Sequence, residues 1–301
     1  MDNSTNGRPS ADRLMSHLFC FGTGYVASRL AADLLSEGWT AAGTCRESTK
    51  RDTLAKSGIE PVLFDGSAPV PSEQLENVTH ILISIPPGED GDPALVHHAG
   101  LLEECESLRW VGYLSATSVY GDSGGALVDE DAPLLATALR GRRRVEAERA
   151  WLDLNLPIHV FRLAGIYGPG RSALDQLKAG MARRIDAPGH LFSRIHVDDI
   201  VAVLRASMAK PKPGAIYNVC DDEPSESADV VAFAADLLGL DPPPLVVLED
   251  AELSPMARSF YADRRLIDNR RIRNELGVVL QYPDYRAGLA AILAERIDRP
   301  A

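Results

Sequence analysis

The chain has 301 residues, of which 45% are hydrophobic and 25% charged, the balance of a soluble globular protein with room for one large α/β domain and a smaller lobe. A formal net charge of −12 argues against a general nucleic-acid or anionic-membrane binder, because phosphate surfaces demand a basic face, and no apolar run approaches bilayer length. Cys20, Cys45, Cys105 and Cys220 are scattered without C-x-x-C spacing, so neither a disulfide framework nor a metal site is expected.

Residues 1–15 contain no apolar signal core and read as a mobile tail, which points to a cytoplasmic protein. Residues 17–34 carry the most informative stretch. Leu18, Cys20 and Phe21 read as a buried strand, Gly22, Gly24 and Ala27 follow with G-x-G-x-x-A spacing, and Val26, Leu30 and Leu34 recur along one helix face. In that setting Gly22 makes a tight turn, Gly24 removes the Cβ that would block a phosphate, and Ala27 lets the helix lie close to the sheet. Gly22, Thr23, Gly24, Tyr25 and Val26 are therefore candidate contacts for a dinucleotide pyrophosphate at a helix N-terminus.

A second strand over 40–44 ends at Cys45 and Arg46. An acid there would bind a ribose 2′-hydroxyl, whereas arginine accommodates a 2′-phosphate. Arg46 thus favours NADP, with NAD as the lesser alternative; Lys50 and Arg51 read as a solvated helix start. A third strand over 61–64 leads to Asp65 and Gly66, placed to line an adenine, and a fourth over 80–85 leads to Ser84, Ile85 and Pro86 at its carboxyl end, where open parallel sheets hold ligands. Residues 92–108 read as a helix with Leu95, Leu101 and Leu102 inward and His97 and His98 on the surface. A fifth strand over 110–114 precedes Ser115, Ala116, Thr117, Ser118, Val119 and Tyr120; a helix over 138–154 and a sixth strand over 157–163 follow.

This alternation predicts right-handed crossovers and a doubly wound parallel sheet. Residues 16–170 form the expected dinucleotide-binding domain, with 194–220 returning to it. Residues 171–193 and 221–301 form a small C-terminal substrate lobe. Within the later part the pattern gives a helix over 200–208 capped by Asp198, a strand over 215–219, a helix over 228–240 and a helical end with Leu289, Leu293 and Ile297 on one face. His196, Asp198 and Asp199 are read as a helix entry in preference to a metal site.

Several marks resemble, in order, the extended and atypical short-chain dehydrogenase/reductases of the NAD-dependent epimerase/dehydratase family. They are FGTGYVA at 21–27, YLSATSVYGD at 113–122, FRLAGIYGPG at 161–170, RIHVDDIV at 194–201, YNVCDDEP at 217–224 and RRIRNELGV at 270–278. The resemblance implies a Rossmann-like sheet with a substrate lobe, a nicotinamide cofactor, a small polar or nucleotide-linked substrate, and a homodimer through the helices after the fourth and fifth strands. It also implies a catalytic tyrosine, a lysine one turn later and a serine or threonine.

Those three are not in place. Counting back from Glu148 puts Arg140 at the tyrosine position and Arg144 at the lysine position, and counting back from Val119 and Tyr120 puts Ala116 at the hydroxyl position. Arginine stays charged and cannot relay a proton, but it binds anions. Arg140 and Arg144 read equally as substrate or cofactor ligands and as a solvated face paired to Glu146 and Glu148; Arg142 and Arg143 read as the latter. Thr117 and Tyr120 are the candidate substitute donors, with Ser115 at the cofactor. The sequence supports an NAD(P)-dependent oxidoreductase or epimerase/dehydratase-like enzyme; a non-catalytic NADP(H)-binding sensor and hydride transfer without a protein acid are the alternatives.

Overall fold

The structure, a computed structural model, describes residues 16–298; the expected N-terminal tail and the last three residues lie outside them. Short apolar runs give seven strands that all pair in parallel: β1 His17–Phe21, β2 Thr40–Cys45, β3 Glu60–Leu63, β4 His80–Ile83, β5 Trp110–Ala116, β6 Ile158–Leu163 and β7 Ile216–Val219. Their order is β7-β6-β5-β4-β1-β2-β3. The chain winds outward from β1 in one direction, returns, and winds outward in the other. This is the doubly wound Rossmann-like sheet, and the crevice between the carboxyl ends of β1 and β4 is its switch point.

Helices α1 Tyr25–Ser36, α2 Arg51–Lys56, α3 Pro93–Glu103 and α4 Leu139–Leu152 make four of the five connections between the first six strands, and a 3-10 turn at Ser72–Leu75 joins β3 to β4. On one face, Val26, Leu30 and Leu34 of α1 pack with Ile200 and Leu204. On the other, Ala94 and Leu102 of α3 and Ala147 and Trp151 of α4 cover Phe19, Ile81 and Val111. Beyond β6 come α5 Ala173–Lys178, α6 Val197–Ala209, α7 Ser227–Leu238, α8 Pro255–Phe260, α9 Arg270–Leu276 and α10 Tyr285–Asp298. Leu174, Val230, Ala234, Tyr285, Leu289 and Ile292 form a separate small core that joins α5, α7 and α10. Leu293 packs at its margin, and the side chain of Ile297 lies outside the described residues. No helix among the described residues is long and apolar enough to cross a membrane.

Three local expectations are corrected. In α3 only Leu102 of the three leucines is buried, while Leu101 is exposed. His98 is not a surface residue. It is buried, its Nε2 accepts from the Val70 backbone N–H at 2.9 Å, and its Nδ1 lies 2.9 Å from the Ala94 carbonyl; His97 Nε2 meets the Gly66 carbonyl at 2.8 Å. Helix α6 begins three residues earlier than expected. Its N-cap is His196, whose Nδ1 accepts from Asp198 N–H at 3.2 Å, so Asp198 sits in the first turn and pairs with Arg29 at 2.6 Å. Asp199 is buried and accepts from the backbone N–H groups of Gln281 and Tyr282 at 2.7 and 3.0 Å.

Buried histidines give the fold an acid limit. His80, His159 and His196 are each pushed down to about 4, first by desolvation, so the folded state holds them neutral while the unfolded chain protonates them near 6.5. The unfolded state binds the extra protons, so this stability is complete above pH 6.5 and lost as pH falls toward 4. At pH 5 each contributes a loss of about 2 kcal/mol relative to pH 7. Urea titrations at pH 7, 6 and 5 are expected to show that fall, and equal midpoints at pH 7 and 5 would refute it.

Candidate functional site

The carboxyl ends of β1 and β4 bring the glycine turn against Ser84, Ile85 and Pro86. Gly22 has φ +87°, and a Cβ there would lie 2.9 Å from Ile85 Cγ1, so both backbone and packing require glycine. The turn is shaped by the neighbouring strand. Gly22 N–H donates to Thr44 Oγ1 at 2.7 Å, while Thr23 donates to the Thr44 carbonyl through its N–H at 3.0 Å and its hydroxyl at 2.7 Å. Gly24 is different. Its φ of −85° suits any residue, and the nearest atom that a Cβ at this position would meet is Ser84 Oγ at 3.8 Å. Nothing in the fold itself requires glycine there; what a side chain would fill is the space before α1. No side chain caps that helix, so its first-turn N–H groups, including those of Tyr25 and Val26, are available to an anion. These residues fit a dinucleotide pyrophosphate.

The Tyr25 side chain is committed elsewhere, donating to the Pro169 carbonyl at 3.0 Å, and the Val26 side chain is in the core. Each therefore offers only its backbone. Arg46 is exposed just past the end of β2 and has no ion pair among the described residues. Asp65 is exposed and folds back on Ser67, accepting from its N–H at 2.9 Å and its hydroxyl at 2.6 Å; Gly66 has φ +91°.

Strand β5 runs to Ala116, two residues beyond the expected end, and so carries Ser115 in extended backbone with its hydroxyl buried and unpartnered. Thr117 is buried in the turn that follows, and its hydroxyl engages no protein hydrogen bond among the described residues. Tyr120 departs from its expected role as a donor to substrate. Its hydroxyl donates to Asn218 Oδ1 at 2.6 Å and accepts from Arg162 Nη1 at 2.9 Å, and burial pushes it up to about 12. It is a fully engaged core group.

Arg162 also explains Glu148. The two meet inside the protein with Nη2 and Oε2 2.8 Å apart, so Glu148 pairs across to β6 and is not available to Arg144. Arg144 instead donates to the Leu114 carbonyl at 3.0 Å, which anchors α4 to the end of β5. One turn earlier, Arg140 is exposed and has no ion pair among the described residues. The site thus gathers a glycine turn with an uncapped helix N-terminus, two hydroxyls and two arginines near the carboxyl ends of the strands. Thr44 and Arg162 carry much of its geometry. Neither announces itself in the sequence, because each acts on residues distant in the chain.

The fold defines a doubly wound Rossmann-like scaffold with an added small core joining α5, α7 and α10. No family model matches the chain. It is 30% identical over 287 residues to Protein YeeZ of Escherichia coli strain K12, spanning 90% of this chain and 97% of that one. It is 27% identical over 305 residues to a 3-diazoavenalumate denitrifying reductase of Streptomyces sp, spanning 91% and 99%. Among solved structures it superposes, at TM-score 0.88 and 52% identity, on a functionally unknown conserved protein from Silicibacter pomeroyi DSS, covering 93% and 99% of the two chains. A putative NAD-dependent epimerase/dehydratase from Methylobacillus flagellatus superposes at TM-score 0.71 and 25% identity, covering 94% and 99%. The chain belongs to one family with Protein YeeZ, and it shares the fold of a putative NAD-dependent epimerase/dehydratase.

Proposed function

We propose that the protein is an NADP-dependent oxidoreductase that works on a small polar substrate without the family's tyrosine and lysine. The open space before Gly24, facing an uncapped helix N-terminus with Arg46 at the neighbouring strand end, carries this reading. The backbone N–H groups of 24–26 hold the pyrophosphate, Arg46 forks onto a 2′-phosphate, Asp65 and Gly66 border the adenine, and Ser84, Ile85, Pro86 and Ser115 border the nicotinamide half. A nicotinamide, when bound, supplies or accepts a hydride at its C4. The names of two relatives, a reductase and an NAD-dependent epimerase/dehydratase, support a redox step.

Residues of the edge then replace the missing relay. Thr117 donates a hydrogen bond to the reacting oxygen, and the fixed positive charge of Arg140 and Arg144 stabilises negative charge that develops on it. The proton comes from water, since neither arginine releases one. Charge-assisted bonds of this kind contribute about 1.5–3 kcal/mol, so Arg46→Ala is expected to weaken NADPH about 10- to 100-fold and to leave NADH within about threefold. Fluorescence titration with both nucleotides checks it; an equal loss for both would show that Arg46 does not read the 2′-phosphate, and no loss for either would remove it from the site.

A second reading, a non-catalytic NADP(H)-binding sensor, draws on the engagement of Tyr120 together with Ala116, Arg140 and Arg144 at the three reactive positions. Tight NADPH binding with no oxidation across a panel of carbonyl and imine substrates would favour it.

A further inference from the structure

Arg140, Arg143 and Arg144 stand three and four residues apart on α4, which places them on one stripe of the helix. Contacts on three sides fix where that stripe faces. Gly141 packs so closely on the turn after β5 that a Cβ would come 2.8 Å from the Ser118 carbonyl oxygen. Arg144 holds the Leu114 carbonyl, and Arg143 Nη2 lies 3.3 Å from Glu89 Oε1. Glu89 sits in the loop after β4, at the tip of a tight hairpin closed by Gly88 N–H donating to the Gly91 carbonyl at 2.8 Å. The stripe therefore faces the carboxyl ends of β4 and β5.

The charges on it are poorly matched. Glu89 is 87% exposed, so its pair with Arg143 is screened by water and easily exchanged. Arg140 has no ion pair among the described residues, in a chain whose net charge is −12. Next in the chain to Leu114, which Arg144 holds, the buried Ser115 hydroxyl lacks a partner among the described residues. An acidic protein that leaves arginines unneutralised at its ligand edge has a local use for them. Among the described residues the one carboxylate in ion-pair reach of the stripe is that of Glu89.

We propose that Arg140, Arg143 and Arg144 form the recognition site for a carboxylate on the substrate, and that Glu89 occupies it as a displaceable internal mimic in the free protein. This rests on the reading of the edge as a dinucleotide enzyme's substrate cleft and adds the chemical class of the substrate. A guanidinium fork matches a planar carboxylate through two parallel bonds, and removal of one such arm weakens binding without unfolding an exposed helix turn. Displacing Glu89 removes little, because an exposed pair contributes at most about 1 kcal/mol.

The test titrates benzoate, its neutral counterpart benzamide and inorganic phosphate into the full-length protein, with and without saturating NADPH, by ligand-observed NMR. Benzoate is expected to bind, with benzamide about tenfold weaker or more; Arg140→Gln and Arg143→Gln each weaken benzoate about 5- to 10-fold. Glu89→Gln is expected to tighten benzoate about two- to fivefold by removing the competitor, and the NADPH dissociation constant stays within about twofold in all three variants. Equal binding of benzamide, tighter binding of phosphate than of benzoate, indifference to both arginine substitutions, or weaker benzoate binding in Glu89→Gln would each overturn the proposal. If NADPH fails to bind while benzoate keeps this dependence on Arg140, Arg143 and Glu89, the dinucleotide reading falls and the carboxylate site stands.

Discussion

Glu148→Ala is expected to lower the stability of the protein by about 3–5 kcal/mol, because it leaves the Arg162 guanidinium uncompensated in the core. The side chains of Arg162 and Glu148 are 3% and 1% exposed, so water cannot take the place of the lost carboxylate. Arg162 Nε donates to both Glu148 oxygens at 3.2 Å, and Nη1 reaches the Glu130 carbonyl at 3.0 Å as well as the Tyr120 hydroxyl. Glu130 in turn accepts from the backbone N–H of Asn218 at 2.8 Å, so one charge pair ties α4, β6, β7 and the turn after β5 together. Replacing both partners by apolar residues, Glu148→Leu with Arg162→Met, should recover most of the loss, since neither charge is then stranded. Tyr120→Phe removes one hydroxyl from the same cluster and should cost about 1–3 kcal/mol while turnover of bound NADPH is unchanged. Urea denaturation measures all three. A Glu148→Ala loss below about 1 kcal/mol would mean that the pair is hydrated and that the network does not hold the helix.

Gly24→Val is expected to abolish NADPH binding, by about 100-fold or more, while leaving the melting temperature within about 2 °C of the parent. The two halves of that expectation have separate causes. In the protein alone the new Cβ meets nothing within 3.8 Å and the backbone at φ −85° is ordinary, so the fold has no quarrel with a side chain. With a pyrophosphate seated on the α1 N–H groups, the same atoms occupy its place. Gly22→Ala makes the contrasting control. There the backbone is left-handed at φ +87° and Ile85 blocks the Cβ, so both stability and binding should fall. Calorimetric titration together with thermal melts separates the two. Undiminished NADPH affinity in Gly24→Val would move the cofactor away from this turn.

Features that depend on a few consecutive residues are legible in the sequence. The strand, glycine turn and helix at 17–36 can be placed because alternation, glycine spacing and helix periodicity act over single turns, and the six ordered marks extend that reading to the sheet. What escapes depends on partners far along the chain. His98 looks free until the distant Val70 N–H is folded against it, and Tyr120 looks like a donor until Asn218, 98 residues later, closes over its hydroxyl. Carboxylates favour the helix cap, which points to Asp198 at the start of α6, and burial of His196 beneath Tyr282 reverses the choice. Asp221 gives no local sign at all. It is buried with neither carboxylate oxygen hydrogen-bonded among the described residues, and desolvation pushes it up to about 8 although Arg194 pulls the other way. Counting locates Arg140 and Arg144, yet only the contact with Leu114 shows that Arg144 anchors the helix while Arg140 has no such tie.

The grip of Thr44 on both Gly22 and Thr23 has a consequence for altering coenzyme preference. Thr44 stands two residues before Arg46, so the strand end that would choose between phosphorylated and plain ribose is clamped to the loop that would cradle the diphosphate. The two behave as one stiff bracket. Exchanges at 46 alone can retune selectivity without slackening the loop, whereas Thr44→Val would remove the hold on Gly22, leave the two Thr23 bonds to the backbone carbonyl, and blunt affinity for both coenzymes alike.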